Sequence, residues 1–156
     1  MLANPGKDMT MATKKLKWDA DQIDAFLRQE FPQAFAGGAD YRIGTLRPGH
    51  VSVYMTAGDK QLRPGGTVSG PALMEFVDFS IYVLLLAHHK ESARLSVTTN
   101  LQISFLRKAE PGELRCDVEL IKHGRTLSVA ASRIAHAQSD RLIAHSEATY
   151  YMGEAQ

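Results

Sequence analysis

Apolar positions change their period several times along the chain, and each change marks an element. From Ala72 to Ala87 nearly every position is apolar, broken by Glu75 and Asp78, and a helix of that kind must be covered on most sides. From Leu95 to Phe105 the period falls to two. Leu95, Val97, Leu101, Ile103 and Phe105 share one face, and Ser96, Thr98, Asn100, Gln102 and Ser104 the other. Three more strand-like runs follow: Leu114 to Lys122, Thr126 to Ile134 and Leu142 to Tyr151. Turn signals at Pro111-Gly112, His123-Gly124 and Ser139-Asp140 separate them. Upstream, the runs Tyr41 to Leu46 and Val51 to Ala57 flank Pro48-Gly49. Asp19 or Asp21 caps a short helix that carries Ile23, Phe26, Leu27 and Phe31 on one side, and Pro32 ends or bends it.

The order is therefore β-β-α-β-β-β-β after an extra N-terminal helix. Short links predict that the last four strands pair antiparallel as a meander. A single curved antiparallel sheet wrapped around one long helix hides such an element, and this α+β layering is the hotdog arrangement. Residues 1–17, with Lys14, Lys15 and Lys17, form a loose basic tail, and 18–156 form one domain.

Composition narrows the function classes. A hydrophobic share of 44% with 22% charged is that of a globular chain. A net charge of +1 provides no general attraction for nucleic acid, and no basic stripe interleaves with aromatics. The run from Ala72 to Ala87 is shorter than a membrane span and carries two acids, so no membrane is expected. One cysteine, Cys116, excludes an internal disulfide and points with Leu114, Val118 and Leu120 into the core. His88 and His89 are adjacent on a helix and point apart, suiting its C-terminal dipole or solvent, so no metal is expected. The first residues lack the apolar stretch of a secretory signal, which makes the cytoplasm the expected location.

Two stretches carry a likeness. Ser69-Gly70-Pro71 closes a Gly/Pro-rich loop, Asp78 follows nine residues after Ser69, and the strand after the helix ends Phe105-Leu106-Arg107-Lys108 before Pro111-Gly112. This resembles the phenylacetic-acid-degradation type of hotdog thioesterase, in the 4-hydroxybenzoyl-CoA thioesterase superfamily, over roughly residues 40 to 151. In that type the loop ends His-Gly-Gly, with an acid nine residues after the histidine. Here Ser69 replaces the histidine, Pro71 the second glycine, and Arg63 an asparagine six residues before it.

The resemblance implies hydrolysis of acyl-CoA thioesters, with no cofactor beyond the coenzyme A of the substrate. It implies a homo-oligomer, a dimer or dimer of dimers whose sheets join edge to edge. Asp78 would activate water or attack the thioester itself. Loss of solvation in an apolar helix strengthens a carboxylate as a base; the alternative is a purely structural acid satisfied by backbone or a partner. Glu75, one turn earlier, is the reserve acid. Gly66 and Gly70 permit close backbone approach, and the Gly70 N–H is the candidate oxyanion donor, since Pro71 has none. Ser69 either caps the helix or points at substrate. Arg63, Arg107 and Lys108 are candidates for the CoA phosphates, and Thr98 and Asn100 for the lining of the site. A non-catalytic acyl-CoA-binding hotdog, a sensor or carrier, is the alternative function.

Overall fold

The computed structural model describes residues 15–153; the tail's residues 1–14, Lys14 among them, lie outside them. Asp19 caps α1 (Ala20–Glu30) in a reciprocal pair with Gln22. Each side chain accepts the other residue's backbone N–H at 2.9 Å. Ile23 and Leu27 on its inner face are buried. The helix stops just before Phe31-Pro32, and a single turn, α2 (Gln33–Ala36), follows. The Lys17 and Trp18 N–H groups donate to the Ala87 carbonyl at 2.8 and 3.2 Å, so the described end of the basic segment is fastened to the core helix.

That core helix, α3 (Gly70–His89), is longer than the periodicity predicts. By length and composition it is apolar enough to cross a membrane, so length does not exclude a span as expected. Within the domain, though, 67% of its apolar window is buried. Between residues 76 and 88 only Asp78 and Tyr82, one turn apart, escape burial. Strands β1 (Asp40–Arg47), β2 (His50–Thr56), β3 (Val97–Phe105), β4 (Glu113–His123), β5 (Leu127–His136) and β6 (Leu142–Tyr151) form one antiparallel sheet in the order β1-β2-β4-β5-β6-β3. On β5 and β6 the positions facing α3 include the small residues Ala130, Ser132, Ser146 and Ala148. On β2 and β4 they are larger: Val51, Val53, Leu114 and Val118. The small side chains leave room for the bulky ones of α3, as close packing requires.

The expected four-strand meander is corrected. β4, β5 and β6 are consecutive neighbours, but β3 pairs with β6 and becomes an edge. The link 106–112 spans three interstrand spacings, roughly 14 Å, which seven extended residues cover easily. It is fixed on the way: the Leu106 and Arg107 N–H groups donate to the Ile143 carbonyl at 2.8 and 3.1 Å. The Ala109 carbonyl accepts the Val68 N–H at 2.9 Å.

Since α3 is the hub of the core, Leu84→Ala should destabilise the fold by about 2–5 kcal/mol in urea unfolding. Ile121→Ala, at an exposed position, should change it by no more than about 0.5 kcal/mol. A near-neutral Leu84→Ala would contradict this picture of the core.

Candidate functional site

Asp78 is the polar break in the buried stretch of α3, and it is held from two strands. Its Oδ1 accepts the Thr98 hydroxyl at 2.6 Å and also the Tyr150 hydroxyl, which lies 3.2 Å from the Asp78 carbonyl oxygen. No described residue hydrogen-bonds its Oδ2. Burial, followed by the charge and hydrogen bond of Asp78, pushes the Tyr150 phenol far above its ordinary range, so it stays a donor. All three residues line a cavity of about 530 Å³, walled by Phe31, Phe79, Tyr82, Leu95 and Val97. One carboxylate oxygen is thus fixed by hydrogen bonds while the residue faces an apolar space. That arrangement suits a base or nucleophile whose direction matters.

A β-bulge places Thr98 there. Thr98 pairs with Tyr150 and Asn100 with Thr149, so Thr99 is an extra residue and the alternation reverses across it. Val97 therefore leaves the face of Leu101, Ile103 and Phe105, and Thr98 joins it against α3. Asn100, expected beside Thr98, stands on the opposite face of the sheet and does not line this cavity. Tyr150 was not singled out by the sequence. Its only signal is a place near the end of the last strand-like run, beside a second tyrosine.

The loop residues gather elsewhere. Ser69 caps α3, its Oγ accepting the Ala72 N–H at 3.3 Å, which is the first of its two predicted roles. Pro71 has no N–H and the Leu73 N–H donates to the Ser69 carbonyl at 3.1 Å. The Gly70 N–H remains the first-turn donor that no described residue accepts. The Gly70 Cα has no room to spare, since a Cβ there would sit 3.3 Å from the Phe105 ring. Gly70, Arg63, Arg107 and Lys108 line a second cavity of about 550 Å³. The Arg107 guanidinium also donates to the Leu142 carbonyl at 3.0 Å. Gly66 lines neither cavity; its φ of +83° shapes the turn whose N–H returns to the Arg63 carbonyl at 2.9 Å. Most of the predicted site residues therefore form two groups, with Ser69, Gly66 and Asn100 in neither. Asp78, Glu75 and Thr98 belong to one cavity, Gly70 and the cations to the other.

The histidines do other work. His88 is buried instead of solvent-facing, and its Nε2 accepts the Gly49 N–H at 3.0 Å across the β1–β2 turn. Its ring lies 5.0 Å from that of His123, which is 4.4 Å from that of His89. Among the described residues no group of three or more His, Cys, Asp and Glu is placed to hold a metal ion.

Comparison with known proteins shows the family and the fold. The model of the thioesterase superfamily matches residues 65–144. A crystal structure of a provisionally assigned thioesterase from Silicibacter sp. is 37% identical. Its TM-score is 0.79, covering 88% of this chain and 94% of that one. The PaaI protein of the Escherichia coli phenylacetic acid degradation operon shares the fold at 19% identity and TM-score 0.73, over 94% and 98% of the two chains. A hypothetical thioesterase protein with coenzyme A from Streptococcus pneumoniae shares it at 22% identity and TM-score 0.63, over 72% and 87%. No curated protein matches the chain significantly.

Cys116, wholly buried beneath α3, is the nucleophile to exclude. Burial pushes its thiol up to about 12 from an ordinary 9.0. The neutral thiol is kept in the fold while an unfolded one ionises near 9. Its contribution to stability is therefore intact below about pH 9 and is lost as pH rises towards 12. A disulfide reagent at pH 8 should leave the native chain unmodified and titrate one thiol per chain in denaturant. Rapid native reaction would contradict the burial.

Proposed function

The chain belongs to the thioesterase superfamily, and from that premise we propose that it hydrolyses acyl-CoA thioesters to a free acid and CoA. The observation that carries the proposal is Asp78, pinned at one oxygen by Thr98 and Tyr150 and set against an apolar cavity. The acyl group occupies that cavity, with the thioester carbon at Asp78. The Asp78 carboxylate either takes a proton from a water that adds to the carbonyl carbon, or adds there itself to give an anhydride that water then opens. In both routes the carbonyl oxygen gains negative charge, the C–S bond breaks, and the CoA thiolate leaves and is protonated. No cofactor is needed beyond the CoA that arrives with the substrate.

The developing oxyanion needs a donor, and the chain's own Gly70 cannot reach it. Gly70 lies eight residues before Asp78 on one helix, roughly 12 Å along the axis, and opens onto the other cavity. A second copy resolves this. Edge strand β3 carries Thr98 near its start, next to Asp78, and Phe105 at its end, next to Gly70. Antiparallel pairing of β3 with the β3 of a second chain brings the Phe105–Gly70 end of each beside the Thr98–Asp78 end of the other. It also covers an open sheet edge and its exposed apolar residues, among them Phe105 and Leu106 at about half exposure. The dimer then holds two composite sites: an acid from one chain, the Gly70 N–H and the cations Arg63, Arg107 and Lys108 from the other. The cations suit the phosphates of CoA, the molecule bound by the Streptococcus pneumoniae structural relative.

One observation favours a second reading, an acyl-CoA binder without turnover. Pro71 lacks an N–H, so the loop offers one backbone donor fewer than the His-Gly-Gly loop of the type it resembles, and Ser69, which caps the helix, stands in place of the histidine.

Thiol release across short, long and aromatic acyl-CoAs separates the two. Wild type should turn over part of the panel, and Asp78→Asn should lose about a hundredfold or more in kcat with folding unchanged. Tyr150→Phe and Thr98→Val should each lose about tenfold, the value of one hydrogen bond to a charged group. Light scattering should show a dimer or larger. Asp78→Asn within about twofold of wild type, or an active monomer, would contradict the proposal; binding without turnover by wild type favours the second reading.

A further inference from the structure

A second carboxylate shares the cavity with Asp78. Glu75 stands one helical turn before it on α3 and lines the same space, and among the described residues it makes no ion pair or hydrogen bond. The remaining charged residues of the lining are Glu30 and Arg94. The Arg94 Nε lies 3.2 Å from a Glu30 carboxylate oxygen, so the one cation of this cavity already has its counter-charge. Glu75 and Asp78 are left as two unmatched negative charges among apolar and aromatic walls. The second cavity is the reverse: it carries Arg63, Arg107 and Lys108 and no carboxylate. A ligand lying across both would meet cations at its nucleotide end and carboxylates at its acyl end.

We propose that Glu75 restricts the acyl pocket to neutral acyl groups and excludes those ending in a carboxylate. This rests on the acyl-CoA hydrolysis proposed above and deepens it to a substrate class. Side chains three residues apart on a helix stand about 5–6 Å from one another. A six-carbon acyl group carries its last carbon roughly 6 Å from the thioester carbon, five bonds away. An acyl chain running from Asp78 towards the start of α3 thus brings its end beside Glu75. One running the other way meets Arg94 already paired with Glu30. A terminal carboxylate about 6 Å from that of Glu75, at an effective dielectric of about 20, is disfavoured by roughly a hundredfold. Glu75 is exposed, and screening by water and salt reduces this to about tenfold. A methyl terminus meets no such penalty.

The test compares kcat/KM for hexanoyl-CoA and adipoyl-CoA, six-carbon groups that differ by a terminal carboxylate, in wild type, Glu75→Gln and Glu75→Lys. Wild type should favour hexanoyl by about tenfold or more, Glu75→Gln should narrow the gap several-fold, and Glu75→Lys should narrow it further. The ratio is the readout, so a loss common to both substrates, including one from a catalytic duty of Glu75, cancels. An unchanged ratio in Glu75→Gln, or equal turnover of both by wild type, would overturn the proposal. If wild type hydrolyses neither, hydrolysis fails on its own account. The same ratio is then taken from the Kd values of S-hexyl-CoA and S-(5-carboxypentyl)-CoA. Weaker binding of the carboxylate form, relieved by Glu75→Gln, supports the exclusion; equal binding, or none of either, overturns it.

Discussion

The fold depends on keeping α3 out of water. A helix that is apolar nearly all round has no solvent face to offer, so it demands cover from most directions at once. One face of the sheet supplies most of it and α1 adds Ile23 and Leu27. Cover is incomplete along one stripe, where Asp78 and Tyr82 interrupt the buried run. The candidate site is that gap. A carboxylate there stands on a helix whose neighbouring residues are buried, and the strands that cover α3 also supply the hydroxyls that orient it.

Much of this was legible in the sequence because burial imposes a period. The nearly all-apolar run reads as a covered helix, and the runs of period two as its wrapping. Two acids, Glu75 and Asp78, broke the apolar run, and the nine-residue spacing from Ser69 in the resemblance singled out Asp78. What escaped was whatever depends on a single residue's offset. Thr99 inserts one position into β3 without a glycine or proline to announce it, and that one residue turns Thr98 towards Asp78 and leaves Asn100 on the far face. Strand order escaped for a related reason. A seven-residue link is compatible with a hairpin and with a crossing of the sheet end, and tertiary hydrogen bonds to Ile143 and Val68 select the crossing. Tyr150 was hidden because its partner lies 72 residues away, beyond the reach of any local pattern.

The loop and the acid sit a fixed distance apart on one straight helix, and that distance is too long for one carbonyl to bridge. In the proposed dimer, the same spacing that marks the site in the sequence divides it between two chains. The division also separates the charges: cations gather near Gly70 and carboxylates near Asp78. A composite site assembled across β3 would present the two ends of an acyl-CoA with unlike surroundings, and the exposed edge of β3 is where such an assembly would form.

The central claim, that each site takes its acid from one chain and its oxyanion donor from another, is tested most directly by mixing two inactive variants. Asp78→Asn removes the acid, and Gly70→Pro removes the donor N–H in the first helical turn. There the Phe105 ring, 3.3 Å from a Cβ at that position, must shift by a few tenths of an ångström. Circular dichroism and light scattering show that each variant keeps its fold and assembly. Dissociated and reassociated together, they should regain about a quarter of wild-type activity, because half the dimers are mixed and one site in each mixed dimer is intact. A mixture that stays as inactive as its parents, with mixed dimers shown to be present, would contradict the composite site.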